Sequence, residues 1–387
     1  MKIYKFGEIL LPEDIEVGKW GVVACDQYTS QPEYWNTLAS KTSDISSLAL
    51  IFPECFLSSD NGERIAQINK KMNEYVENGI FKQYDGTILV ERMSESGTRR
   101  GIMTCVDLSA YSNNFEDRAP IRGTEGVVAE RIPPRVEIRK NASLELPHVM
   151  LLIDDKDKTV IEPLIGKGEL VYEGELNMNG GYIRGFNVVD VNTVENALDN
   201  LFAQSKAKYG SPLLFLVGDG NHSLATAKAC YNPENPLSKY ALVEVVNIYD
   251  EGLKFEPIHR VVYDVDKNHF IEGLKKNVLG ESSTVIVADG KTEEISFVLD
   301  PIEGVAKTQN YIDAYLKEFG GKVDYIHGMD SLVEVAQKTN GVGIALKPID
   351  KDTFFECIAK NGPLPRKTFS MGEANEKRYY IEARKIK

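Results

Sequence analysis

Short apolar runs alternate with amphipathic stretches along this chain, a pattern that predicts a mixed α/β fold with a large first unit and a smaller second one. Three observations carry the prediction. Residues 213–217 (Leu-Leu-Phe-Leu-Val) are apolar without interruption, as in a strand buried on both faces. Residues 63–78 set Ile65, Ile68, Met72, Tyr75 and Val76 at helical spacing. After about residue 265 the alternation of helix and strand patterns begins afresh. The expected units are therefore 1–265 and 266–387. The second is an α/β unit whose last segment returns to the first if the break marks an insertion.

The elements follow in order. Residues 20–25 read as a short buried strand, and the helix over 63–78 stops at Asn78-Gly79. The turn at Tyr84-Asp85-Gly86-Thr87 leads into a strand over 88–92, with 101–108 as its partner. A strand is expected over 149–153. A helix over 193–209 carries Val194, Ala197, Leu198, Leu201 and Phe202 on one side and ends at Gly210-Ser211-Pro212. The strand over 213–217 feeds Gly218-Asp219-Gly220 and then a helix over 221–230. A further strand spans 242–249. In the second unit, helices are expected over 269–278, 308–319, 331–338 and 352–360, and strands over 283–288, 294–299, 323–326 and 343–346.

Composition bounds the function. A chain of 387 residues with 42% apolar and 27% charged residues buries a sizeable core, which excludes disorder, collagen and coiled coil for the whole chain. Lys plus Arg is 45 and Asp plus Glu is 58, a net charge of −13. Such a surface repels phosphate backbones, so nucleic acid and anionic membranes are poor partners. No stretch approaches the 18 or so apolar residues of a membrane helix, and no secretory pattern stands at the start, so a cytoplasmic protein is expected. The five cysteines are scattered and lack a C-x-x-C, against both a disulfide framework and a zinc module. Oligomeric state is open.

The sharpest motif is the strand-turn-helix 217–227, with Gly218-Asp219-Gly220-Asn221-His222-Ser223 at its turn. Glycines allow a tight turn and close approach of a ligand. A helix start offers unpaired N–H groups and the positive end of the dipole, which suit an anion. Asp219 suits Mg²⁺ or a proton, and His222 titrates near neutrality. The plainer alternative is a helix cap with a hydrogen-bonded histidine. No Lys follows as in a Walker A loop.

A second feature is a basic segment in an acidic protein. Arg118, Arg122, Arg131, Arg135, Arg139 and Lys140 share a window with only Glu125, Glu130 and Glu137. Arginine forks suit phosphate and carboxylate oxygens. Asp26 ends the expected first strand, where α/β ligand sites form. Pro257-Ile258-His259-Arg260 and Pro365-Arg366-Lys367-Thr368 can also deliver cations. His148, His269 and His327 lack companions at ligand spacing and read as ordinary histidines.

Taken together and in this order, Asp26, residues 121–135, Asp219-Gly220-Asn221-His222, Pro257-Ile258-His259-Arg260 and Pro365-Arg366-Lys367-Thr368 resemble the bacterial and archaeal family called domain of unknown function 1015, sometimes labelled ParB-like. The resemblance spans nearly the whole chain. The family hallmark, Asp-Gly-His-His-Arg and an aromatic residue, is here Asp219-Gly220-Asn221-His222-Ser223-Leu224, with Ser223 in place of Arg. Cys25-Asp26 and Thr124-Glu125 also depart from the usual Pro-Tyr-Asp and His-Glu, which marks a divergent branch.

The resemblance implies a ParB/sulfiredoxin-like core with a phosphate-binding hallmark turn. Relatives in that superfamily bind nucleotides, and one branch phosphorylates free serine. The expected function is thus a small-molecule phosphotransferase or phosphohydrolase with a nucleotide, Mg²⁺ and a small anionic ligand, related to serine or phosphoserine. A non-catalytic nucleotide- or metabolite-binding regulator is the alternative. In this reading Asp219, His222, Glu125 and Asp26 are catalytic, with Asp219 also the metal ligand. Gly218, Gly220, Asn221, Ser223, Arg122, Arg131, Arg135, His259, Arg260 and Lys367 hold phosphate.

Overall fold

The computed structural model describes residues 2–58, 60–365 and 367–387. Arg366, named above in the Pro365 segment, lies outside them. The chain is a mixed α/β protein of two compact units. One comprises Met1–Leu253, Phe355–Gly362 and Gly372–Lys387; the other comprises Lys254–Phe354 and Pro363–Met371.

The first unit is built on one large mixed sheet. Among the described residues its strands are β1 (Tyr4–Lys5), β2 (Thr87–Ser94), β3 (Gly97–Asp107), β4 (Tyr111–Ser112), β5 (Ile121–Gly123), β6 (Met150–Ile153), β7 (Glu169–Glu175), β8 (Tyr182–Val188), β9 (Phe215–Asp219) and β10 (Tyr240–Asn247). In space they run β7-β8-β2-β3-β10-β6-β9-β5-β4, with β1 beside β3. The helices that matter here are α1 (Gly62–Glu77), α2 (Ile132–Arg139), α3 (Asn192–Tyr209) and α4 (Asn221–Ala229).

The apolar run 213–217 lies at the heart of this sheet. All five residues are buried, because β9 is flanked on both sides: parallel to β5, with Val217 opposite Gly123, and antiparallel to β6, with Asp219 opposite Met150. Leu224 of α4 and Val194 and Leu198 of α3 pack into the same core as Val217. Each fully buried side chain of this kind contributes about 1.5–3 kcal/mol relative to exposure. This packing fixes where the turn after Asp219 emerges.

The second unit has its own core. Its elements are β11 (Phe255–Tyr263), α5 (Lys267–Val278), β12 (Ser282–Ala288), β13 (Lys291–Phe297), α6 (Pro301–Phe319), β14 (Lys322–His327), α7 (Met329–Lys338), β15 (Val342–Ile344) and β16 (Phe369–Met371). The sheet order is β13-β12-β15-β11-β14, with β16 beside β11. Phe270, Leu274, Phe297 and Ile312 fill the core between helices and sheet.

Three differences from the sequence reading have local causes. Residues 20–25 are not a strand. Trp20 ends a helical turn, Val17–Trp20, and residues 22–24 then run extended against 378–380, making only two backbone bonds (Ala24 N–H to Arg378 O, 2.9 Å; Tyr380 N–H to Val22 O, 2.9 Å). The hairpin of β7 and β8 carries Glu169, Glu173, Glu175 and Arg184 and shows no apolar run to read. Helix α6 begins at Pro301, before the apolar periodicity: Asp300 accepts the Glu303 N–H at 2.7 Å and proline fits the first helical position.

Candidate functional site

The hallmark turn is shaped by two glycines. Gly220 takes φ +83°, and a β-carbon there would meet the Val149 backbone at 3.0 Å. Gly123, on the neighbouring strand, lies against Asn221, whose Oδ1 would be 2.7 Å from a β-carbon at 123. Only glycine allows both approaches. Helix α4 therefore starts directly beside β5, and the N–H groups of its first turn, at Asn221, His222 and Ser223, have no helical carbonyl to bond.

The loop after β5 is tied to this turn. Thr124 Oγ1 donates to Val217 O at 2.6 Å, and His222 Nε2 accepts the Val128 N–H at 3.1 Å. The latter bond occupies one ring nitrogen of His222, the residue expected to bind or protonate a phosphoryl oxygen. Its acceptor role places any single ring proton on Nδ1. Glu125 lies in this loop, half-buried.

Asp219 points into the site. Its Oδ1 accepts the Gly220 N–H at 2.9 Å, and its Oδ2 lies 3.3 Å from Lys377 Nζ. Burial alone would raise the Asp26 carboxyl, but His148, the Gln27 amide, Lys377 and Arg135 outweigh it and hold the group below the usual aspartate range. Gln27 Nε2 donates to Asp26 Oδ1 at 2.9 Å. Next to it, burial raises the Glu54 carboxyl, and Asp26 adds to the rise, against the opposing pull of Arg135 and His148. Glu54 is ion-paired with Arg135 of α2. Tyr28, two residues past Asp26, takes φ +51° and stacks on Tyr34 with ring centroids 3.6 Å apart. Such strained backbone is found where a site demands it.

Asp26, Arg135, Asp219 and the 218–223 turn thus share one region of the first unit, reached from the end of the extended segment at 25–27, helix α2 and the end of β9. The sequence reading missed Glu54, Lys377 and Tyr380 there and took His148 for an ordinary histidine. None of them stands in a motif. Lys377 reaches Asp219 from near the C-terminus, and a lysine so placed gives no local signal.

Other candidates are placed differently. The Arg122 guanidinium turns toward the start of β9, where it donates to Ala119 O, Ser211 Oγ and Pro212 O at 2.7–2.9 Å, and burial lowers its pKa. The Arg131 side chain is exposed, and its carbonyl accepts from Arg135. His259, Arg260 and Lys367 belong to the second unit. His259 Nδ1 accepts the Leu346 N–H at 3.0 Å, and burial, with Arg260 and His327, pushes its pKa down to about 4. Arg260 is fully buried, with Nε donating to Gln309 Oε1 at 2.9 Å and its guanidinium over the Tyr325 ring. Lys367 is exposed at φ +58°. A surface hollow of about 510 Å³ in the second unit, lined by Asp264, Asp266, His269, Tyr315 and Phe319 among others, contains none of these candidates.

Among the described residues no group of three or more His, Cys, Asp or Glu side chains is placed to hold a metal ion. Asp219 offers a single carboxylate. A Mg²⁺ ion fits there only if most of its oxygens come from a ligand's phosphates and from water, a usual habit of that ion. Among the described residues no helix is long and apolar enough to cross a membrane.

A family model described as "Protein of unknown function (DUF1015)" matches residues 5–385. No curated protein matches the chain. Among solved structures, a free serine kinase variant in complex with ADP is 13% identical, with 74% of this chain and 92% of that one covered and a TM-score of 0.41. The free serine kinase in complex with AMP gives 14% identity, coverages of 74% and 91%, and a TM-score of 0.41. A conserved hypothetical protein from Pyrococcus furiosus gives 12%, 70% and 90%, and 0.36.

Proposed function

The chain belongs to the family of proteins of unknown function DUF1015, and we propose that it binds the phosphate of a small nucleotide-type ligand at the start of α4 and transfers a phosphoryl group there. The observation that carries this reading is the approach of Lys377 to Asp219 at 3.3 Å beside that helix start, and the same lysine's charge helps hold the Asp26 carboxyl low. Phosphoryl transfer asks for positioning and charge neutralisation more than for covalent chemistry. The first-turn N–H groups of α4 and the Lys377 ammonium hold the phosphate oxygens. Closure of the 123–128 loop by His222 keeps that turn in shape.

The two carboxylates beside the site are pulled apart in acidity, which separates their roles. Asp26 stays ionised and accepts the hydroxyl proton of the acceptor molecule. The hydroxyl oxygen then bonds to phosphorus as the bond to the nucleotide leaving group breaks. Glu54 takes up a proton more readily and, paired to Arg135, keeps the Asp26 side of the site from carrying two full negative charges. When bound, Mg²⁺ would neutralise phosphate charge, with Asp219 as its one protein ligand.

Thermal-shift and calorimetric titrations with ATP, ADP, inorganic phosphate and phosphoserine, with and without Mg²⁺, test the binding. Phosphorus NMR with ATP and serine as trial acceptor, which the family resemblance suggests, tests the transfer. Absence of any shift at millimolar ligand overturns the reading. Ser223, in place of the hallmark arginine, favours one second reading: a binding protein without turnover. Saturable nucleotide binding with no transfer or hydrolysis would select it.

A further inference from the structure

The His148 ring is held at the edge of this site by a buried hydroxyl. Its Nδ1 lies 2.6 Å from Tyr380 Oη. The same Oη accepts the Cys25 N–H at 3.1 Å, and the two rings meet edge to face with centroids 5.6 Å apart. His148 directly precedes Val149 and β6, and Val149 touches Gly220 of the hallmark turn, so its backbone is as fixed as the sheet. From this position the ring, whenever it is protonated, lowers the pKa of two carboxylates, Asp26 and Glu54.

The hydrogen-bond inventory decides the tautomer. Tyr380 has one hydroxyl hydrogen, and burial raises its pKa far above the ordinary tyrosine value, so that hydrogen stays in place. Two groups compete for it: His148 Nδ1 and the Cys25 thiol, itself pushed up to about 12 by burial. A thiol sulfur is a weak acceptor and an imidazole nitrogen a good one. The hydrogen therefore goes to Nδ1, and the ring carries its own proton on Nε2.

We propose that Tyr380 is a positioning residue that locks His148 as the Nε2–H tautomer, so that the ring presents one fixed N–H donor at the edge of the site. The role, though not the tautomer, rests on the phosphoryl-transfer reading above. An outer residue that sets an imidazole's tautomer and orientation is a known need of such sites. The groups recorded around the ring are Tyr380, at Nδ1, and the Asp26 and Glu54 carboxylates, whose acidity its charge affects. Arg378, from the C-terminal segment too, donates to Pro147 O at 3.1 Å.

Nitrogen-15 NMR of the full chain with labelled histidine, assigned with His148→Gln, reads the tautomer directly. The expected result is an unprotonated Nδ1 and a protonated Nε2 at neutral pH. In Tyr380→Phe the signal moves toward a mixture of tautomers. Nδ1–H in the wild type overturns the proposal, and this holds even if Tyr380→Phe does not fold. A folded Tyr380→Phe with unchanged signals overturns it as well. Calorimetry with ADP on the same samples separates the two ideas: loss of all phosphate binding would sink the functional reading and leave the tautomer result standing.

Discussion

Lys377 and Arg378 are chain neighbours with opposite fates, and the contrast separates structure from site. Arg378 is wholly buried. Its guanidinium is ion-paired to Glu244 and to Glu382, both also buried, and Arg99 adds a contact to Glu244 at 3.7 Å. Every charge there has a close opposite. Lys377 is 16% exposed and Asp219 28%; they touch at 3.3 Å, next to Asp26, Glu54 and a helix start that also seeks an anion. A buried cluster whose charges are paired within it has no exposed charge to offer a ligand, whereas a part-exposed pair at a helix N-terminus does.

The largest effect that would break this contrast is loss of Arg378. Arg378→Ala leaves Glu244 and Glu382 buried without their cation, and we expect a destabilisation of about 3–5 kcal/mol. Denaturant unfolding measures it. A loss under about 1 kcal/mol would mean that the cluster is not the structural anchor described here.

Lys377→Ala should cost less stability and weaken binding. Loss of one partner from this mostly buried but not fully enclosed pair should cost about 1–3 kcal/mol of stability, and removal of a charged donor to phosphate should weaken ligand binding by about tenfold to a hundredfold. Thermal unfolding and calorimetry of the same variant read both numbers. Equal losses in stability and binding for Lys377 and Arg378 variants would erase the distinction.

Acid pH sharpens the comparison next. In the buried cluster the Glu244 carboxyl is opposed by burial but held low by Arg378 and Arg99. Near it, burial opposes and Ser94, Ser96 and the Glu373 N–H bring Glu376 down to about 2. Folded values below the unfolded ones mean stability that is complete above the ordinary carboxylate pKa, roughly 4, and is lost as pH falls toward about 2. Unfolding monitored by circular dichroism from pH 5 to 2 should show this loss, and Glu376→Gln should flatten it. Stability independent of pH over that range would contradict the account.

The smallest expected effect concerns the second unit. His259, with a pKa near 4, should stay neutral at pH 6 by NMR, and Lys367→Ala should change stability by no more than about 0.5 kcal/mol. A His259 ring that titrates near the ordinary value of about 6.5 would put its burial in doubt.

The same contrast explains how much was legible in the sequence. The turn Gly218-Asp219-Gly220-Asn221-His222 could be read because a buried strand, two glycines and a helix start lie next to one another in the chain. Asp26 could be read as a carboxylate at the end of an apolar run, although that run proved to be extended chain rather than strand. Glu54, His148, Lys377 and Tyr380 could not be read, since each reaches the site only through the tertiary fold. The basic segment misled for a related reason. Its charges look alike in sequence, yet Arg122 Nε and Nη2 are taken up by two carbonyls and a serine, Arg135 is paired with Glu54, and Arg139 with Glu145. Counting arginines does not reveal which already have partners.

The most direct test of the central claim is a calorimetric titration of ADP into the wild-type protein and into Lys377→Ala. The account predicts saturable binding to the wild type and a dissociation constant at least about tenfold higher for the variant, a loss of about 1.4 kcal/mol. Equal affinity in the two proteins, or no heat of binding in either, would contradict it.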